Sequence, residues 1–163
     1  MFGLLKDTRV VGKANAFIQR PPKDIFDFVG ANFLTNYPRW SPEVIELKPL
    51  TEGPVNVGTL CHQVRLDQGR RSESTFKVMT FQPSQRICFE GVSNPYRCDY
   101  ILEASTLTSA SRITFTFELL SLDMFMRPFE KLIRIAVQEG TEKTVRNIKK
   151  LVEAEVADVS AHN

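Results

Sequence analysis

One histidine stands where its chemistry could count. His62 falls in the alternating run from Val57 to Leu66, and a strand puts every second side chain on one face. Leu60, Val64 and Leu66 are its apolar members, so His62 is expected inward with them, leaving Thr59, Cys61, Gln63 and Arg65 toward solvent. An imidazole on a cavity wall can take a proton from an acidic C–H or donate to a ligand carbonyl. On a filled wall it is a histidine satisfied by a hydroxyl or a water. Tyr100, inward with Cys98 and Leu102 along Tyr96 to Ala104, offers a phenol that donates to a ligand oxygen or bonds internally. His62 and Tyr100 are thus the candidate catalytic pair, one as base and one polarising the neighbouring carbonyl.

Other groups carry weaker signals. Arg70 and Arg71 sit on a turn, where they could attract a carboxylate or phosphate or stand as solvated turn residues. Met124, Phe125 and Met126 form an apolar patch ahead of the last helix. Their thioethers suit a lid over a variable ligand, and packing of the helix start explains them equally well. No GxSxG, Gly-rich phosphate loop or HExxH occurs, so no nucleotide cofactor is expected. The second histidine, His162, lies in the tail, so no histidine cluster for a metal is expected. Cys61, Cys88 and Cys98 are odd in number and lack any CxxC spacing, which reads as reduced thiols in a cytoplasmic protein. Glu90, Asp99, Glu103 and Glu118 alternate outward, so a paired-carboxylate site would need a shifted strand.

The elements that must position these groups follow from period and punctuation. The chain of 163 residues reads as one soluble domain, 1–163, with a core over 10–156 and a frayed tail over 157–163. Its net charge of +2 is small and its cations scattered, which argues against nucleic acid. No apolar run reaches the ~20 residues of a membrane span, and Met1 to Leu5 is cut off by Lys6 and Asp7 before it could form a secretory core. Arg9 to Ile18 is a first strand. Pro21 and Pro22 end it and open a short helix carrying Ile25, Phe26 and Val29, with Gly30 as its stop. A second short helix is capped by Asn32 and broken by Pro38. Six strands follow: Val44 to Leu50, Val57 to Leu66, Ser72 to Phe81, Arg86 to Val92, Tyr96 to Ala104 and Ser111 to Leu119. Gly, Pro, Asn and Ser turns between them mark an antiparallel meander.

A long amphipathic helix closes the chain from Pro128 to about Glu155, with an apolar stripe through Phe129, Leu132, Ile133, Ala136, Val137 and Gly140 and on to Val152. At ~1.5 Å per residue it spans roughly 40 Å, enough to cross a sheet. Gly140 costs that helix about 1 kcal/mol against Ala. Close approach to the sheet is the preferred reason for it, and room for a ligand the other. Alternation also turns Phe76, Val78, Ile87, Phe89, Phe115 and Phe117 inward, with a bulge near Thr80 bringing Phe81 in. The expected ligand wall from these periods is Leu60, His62, Val64, Phe76, Val78, Phe89 and Cys98, with Tyr100, Phe115, Phe117, Phe125, Phe129, Ile133 and Val137.

With these parts in order, the chain resembles the SRPBCC superfamily and its START-like, helix-grip fold, most of all the polyketide cyclase/dehydrase-like branch. The resemblance rests on Ile18 to Phe26, Tyr37 to Val44, Val57-Gly58-Thr59, Phe81 to Arg86 and Asn147 to Glu153, and covers roughly Val10 to Glu153. It implies an α+β fold: a seven-stranded curved antiparallel sheet wrapped around a long C-terminal helix, with two short helices between strands 1 and 2. It also implies a cavity between sheet and helix, with Trp40 in its wall between the short helices and the sheet, and a mouth framed by the Asp67–Arg71 turn, the Ser93–Tyr96 turn and the Leu122–Pro128 connection.

Three functions fit. The leading expectation is binding of a small hydrophobic or amphipathic molecule in that cavity, with no cofactor. A cyclase/dehydratase-like enzyme using His62 and Tyr100 is the second. A chaperone-activator-like interaction module is the third, and it needs an exposed apolar patch such as Phe2, Leu4 and Leu5. Neither the ligand nor the oligomeric state is legible in the sequence.

Overall fold

The computed structural model describes residues 9–161, with side chains to residue 155. Seven antiparallel strands form one sheet: β1 (Val10–Ile18), β2 (Val44–Pro49), β3 (Leu60–Asp67), β4 (Arg70–Gln82), β5 (Arg86–Gly91), β6 (Tyr96–Ala104) and β7 (Ser111–Leu119). The order is β1-β7-β6-β5-β4-β3-β2, so the meander from β2 to β7 is closed by β1 pairing back onto β7. The helices α1 (Pro22–Phe26) and α2 (Phe33–Trp40) lie between β1 and β2, and α3 (Glu130–Ala161) ends the chain. This is the α+β helix-grip arrangement the resemblance implies.

Several local expectations change. Gly30 does not stop α1; it lies in a π-helical turn over Asp27–Ala31, where a Cβ would meet the Phe26 ring at 2.7 Å. Pro38 sits inside α2 without breaking it. The lost backbone bond costs about 3 kcal/mol, and burial of Phe33, Tyr37 and Trp40 from the same helix offsets it. The Asn32 side chain does not cap α2. Its Nδ2 donates backward to the Asp27 carbonyl at 2.9 Å. Strand β3 begins at Leu60 rather than Val57, because Gly58 adopts φ 93°. The last helix starts after a 3-10 turn over Met124–Phe129 and continues past residue 156 to Ala161. The bulge in β4 stands as expected between Val78 and Thr80, and Phe81 turns in against Phe26 with ring centroids 5.1 Å apart.

The core is solid at one end and open at the other. Phe76, Val78, Ile87, Phe89, Leu102 and Ile113 on the concave face pack with Ile25, Phe28, Val29 and Phe33 from the short helices. Val145, Ile148 and Val152 seal this end from α3. Toward its N-terminus α3 instead runs along the sheet edge at β1. Gln138 bonds both backbone groups of Lys13 and Arg134 donates to the Arg9 carbonyl, while at the other end of the helix Glu153 accepts the Gln19 N–H. Gly12 permits this approach, since a Cβ there would overlap Thr141 and stand 2.8 Å from Val137 Cγ1. The helix is therefore fastened along β1 and stands away from β3 and β4, and a hollow remains between.

Candidate functional site

That hollow is a cavity of about 1020 Å³. Cys98, Tyr100, Phe115, Phe117 and Leu119 of β6 and β7 form its floor, and Ile133, Ala136, Val137 and Gly140 of α3 its roof. Tyr100 and Phe115 stack at 4.6 Å, and Trp40 meets Tyr100 edge-on at 5.8 Å. Gly140 faces open space with nothing within 4 Å of a Cβ. The expected close packing of Gly140 is therefore corrected: that role belongs to Gly12 across the sheet edge, and Gly140 leaves room.

The far wall is polar. Gln63 and Arg65 of β3 face into the cavity with Ser74 and Tyr96. Gln63 Nε2 donates to Ser74 Oγ and to Tyr96 Oη, both at 3.1 Å, and the two hydroxyls lie 3.1 Å apart. The Arg65 guanidinium holds Asp67 with two bonds of 3.1 Å and reaches Tyr37 Oη and Ser41 Oγ at 3.4 Å. Burial works against the charge of Arg65, but the bonds to Asp67 and the fields of Tyr37, Asp67 and Glu43 outweigh it, so its pKa stands above its ordinary value. Burial raises the phenols as well. Tyr96 is pushed up to about 12, and Tyr37 and Tyr100 are held further up. All three are neutral donors at neutral pH. One ion pair, Lys143 with Glu43 at 3.1 Å, spans from the helix to the segment before β2.

The mouth opens among Asp67, Arg70, Asn94, Pro95, Leu122 and Asp123. Cavity and mouth lie where the resemblance puts them, but the wall differs. Of the expected ligand residues, Trp40, Cys98, Tyr100, Phe115, Phe117, Ile133 and Val137 line it. Phe76, Val78 and Phe89 are fully buried in the solid core instead, with the Phe76 and Phe89 rings 4.4 Å apart. Phe125 and Phe129 stand exposed outside. Leu60, His62 and Val64 are on the opposite face of the sheet.

This last point corrects the catalytic pair. Residues directly opposite in an antiparallel pair share a face. Cys61 stands opposite Phe76 and Gln63 opposite Ser74, so they point in, and His62 opposite Thr75 points out. The His62 Nδ1 lies 3.4 Å from Thr75 Oγ1 and its Nε2 3.8 Å from Glu73 on the outer surface. His62 and Tyr100 therefore share no space. The outward carboxylates are as expected: Asp99 is held by Arg86, Glu90 and Glu118 by Arg97, and Glu103 by Arg112. Among the described residues no three His, Cys, Asp or Glu side chains are grouped so that they could hold a metal ion. Phe2, Leu4 and Leu5 lie outside the described residues.

Sequence reasoning missed Tyr37, Gln63, Arg65 and Tyr96. The signal was present in the β3–β4 hairpin. Gln68 and Gly69 both have positive φ (51° and 83°), a two-residue turn that closes on the pair Asp67 and Arg70. Counting back from that pair puts Cys61 opposite Phe76, and an inward Phe76 then carries Gln63 and Arg65 inward with it.

The fold is similar to that of TTHA0849 from Thermus thermophilus, at 16% identity and TM-score 0.69 over 89% of this chain and 98% of that one. It is also similar to the Zhui aromatase/cyclase from Streptomyces sp. R1128, at 12% identity and TM-score 0.73 over 91% of this chain and 96% of that one. The di-domain aromatase/cyclase StfQ of the steffimycin biosynthetic pathway matches at 12% identity and TM-score 0.74, over 93% of this chain and 53% of that one. No curated protein matches the sequence. A family model described as polyketide cyclase / dehydrase and lipid transport matches residues 10–153, most of the chain. The seven-stranded grip on a long helix and that match lead to one conclusion: this chain belongs to the polyketide cyclase / dehydrase and lipid transport family, within the SRPBCC superfamily.

Proposed function

We propose that this protein encloses a small amphipathic molecule in the cavity under α3, with its apolar body against Tyr100, Phe115, Phe117, Ile133 and Val137 and an oxygen-bearing end toward Arg65. The observation that carries this reading is the change of wall within one space of about 1020 Å³, from stacked aromatics to a buried hydrogen-bonding end. That volume lies at the top of the ~300–1,000 Å³ range of small-molecule sites. The Nε–Nη2 edge of Arg65 is spent on Asp67, which leaves Nη1 to donate a charge-assisted bond to a single carboxylate or enolate oxygen, and neutral Tyr37 and Tyr96 phenols add donors. Three buried free thiols, two of them raised to about 11 by burial, support a reducing compartment such as the cytoplasm.

Calorimetric titration with planar aromatic carboxylates and their methyl esters tests the reading. The acids are expected to bind at one site and more tightly than the esters, and Arg65→Ala is expected to erase the difference. Absence of saturable binding across such a panel rejects it.

A cyclase-like reaction is the second reading, favoured by the family description and by the Zhui aromatase/cyclase likeness. Arg65 shares the polarising role with Tyr100 there, and His62, on the outer face, drops out as the base. A positive charge beside a ligand carbonyl stabilises the enolate formed when the neighbouring C–H gives its proton to a water admitted through the open mouth. Turnover of a poly-β-ketone that survives His62→Ala and fails in Arg65→Ala separates this reading from simple binding.

A further inference from the structure

We propose that the face formed by residues 124–135, beside the cavity mouth, docks on an anionic lipid surface. Met124, Phe125, Phe129, Leu132 and Ile135 are between 53% and 84% exposed, five bulky apolar side chains within one short segment. Leu122 and Met126 from the same stretch line the cavity, so this face and the mouth are continuous. No helix among the described residues is long and apolar enough to cross a membrane, so the contact lies along the surface.

The charge around these side chains identifies the occupant. Arg127 and Lys131 alternate with the apolar residues, and Arg70 lines the cavity with Leu122 and Met126. Among the described residues none of these three cations has an ion-pair partner. The neighbouring acids are already engaged: Glu130 by Arg134, Glu73 by Arg71 and Asp67 by Arg65. Asp123, the remaining acid of the rim, accepts the Phe125 N–H at 3.2 Å. Exposed apolar side chains interleaved with unneutralised cations on one helical segment suit the headgroup–acyl boundary of an anionic bilayer. Phe125, at 84%, is the most exposed of the five apolar side chains. A mouth held against the bilayer would let an apolar ligand pass in without crossing water, whatever the cavity holds.

Co-sedimentation of the full chain with phosphatidylcholine vesicles, with and without phosphatidylglycerol, tests this. Binding is expected only with phosphatidylglycerol present. The double variant Arg127→Ala, Lys131→Ala removes two cations, each worth about fivefold in partitioning, and is expected to weaken binding about 25-fold. The triple variant Phe125→Ser, Phe129→Ser, Leu132→Ser is expected to bring binding to background. Urea unfolding midpoints equal to wild type show that either loss is not unfolding, and the charge variant alone decides if the triple variant is unstable. Failure to sediment with either vesicle overturns the proposal, as does sedimentation that both variants retain. A dimer in analytical ultracentrifugation that the triple variant dissolves assigns the face to a second copy, and retention on polyglutamate without vesicle binding assigns it to an acidic protein. Each of these outcomes also overturns it.

Discussion

Gln138 holds Lys13 by both of its backbone groups: its Oε1 accepts the Lys13 N–H at 3.0 Å and its Nε2 donates to the Lys13 carbonyl at 2.9 Å. Lys13 is on β1, an edge strand whose outer backbone groups would otherwise face water. The pair fastens the helix to one side of the sheet and leaves its other side standing over the cavity. Gln138→Ala is expected to lower stability by about 1–2 kcal/mol, the net worth of two such bonds, as measured by urea denaturation. Because the clasp also fixes the roof, amide exchange over the N-terminal half of α3 is expected to speed up more than exchange near Ile148.

Gly12 and Gly140 are expected to answer substitution in opposite ways. Gly12→Val pushes into Thr141 and Val137 and is expected to cost about 1–3 kcal/mol. Gly140→Ala meets nothing and removes a helix penalty of about 1 kcal/mol, so its melting temperature is expected to rise. Gly140→Leu is expected to keep that fold and weaken ligand binding about tenfold by occupying the cavity, a loss of about 1.4 kcal/mol. Thermal melts together with ligand titrations separate the three.

The two residues of β3 that sequence patterning ranked in reverse order give a direct comparison. His62→Ala is expected to leave ligand affinity unchanged, since the ring is on the outer face with Thr75 and Glu73. Arg65→Ala is expected to lower affinity for an anionic ligand about tenfold or more, and Arg65→Lys to restore only part of it, because a single ammonium cannot hold Asp67 in the two-bond pairing and present an N–H to the ligand as well.

The three tyrosines give a prediction in pH. Burial raises each phenol, with Tyr96 moved from 10.0 to about 12. A group that keeps its proton longer in the folded chain makes the folded state the better proton binder between those two values. Stability therefore falls as pH rises from about 10 through about 12. Phenolate absorbance is expected to be nearly absent at pH 10 in the native protein and close to half-developed in the urea-unfolded chain. Half-development in the native protein would contradict the burial of these rings.

Most of the architecture was legible because its signals are local. Pro21 and Pro22, the turns between strands and the helical period after Pro128 each act within a few residues. The inward sets of β4, β6 and β7 were legible too, because Phe76 and Phe115 alternate with Thr75, Lys77, Thr114 and Thr116, and Cys98, Tyr100 and Leu102 alternate with Arg97, Asp99 and Glu103 despite the apolar Ile101. Strand β3 was misread for a physical reason. Its cavity face carries Cys61, Gln63, Arg65 and Asp67, becoming more polar toward the mouth, while Val64 is buried on the outer face. Hydrophobic alternation assumes that the inside is apolar, and a binding wall breaks that assumption where recognition takes place. Pro38 was misread as a helix breaker because the aromatic packing that holds α2 is a tertiary effect. Gly140 carried no sign in the sequence that distinguishes room from close approach.

The enclosed space is best interrogated through Trp40, the single tryptophan of the chain, which lines the cavity beside Tyr100. Titration with an aromatic sulfonate such as anilinonaphthalene sulfonate, followed by quenching of Trp40 emission, reads occupancy directly. The expected result is saturable one-to-one quenching that is weakened about tenfold by Arg65→Ala and by Gly140→Leu and unaltered by His62→Ala. Quenching that never saturates, or that all three variants leave unchanged, would contradict a ligand site under the helix.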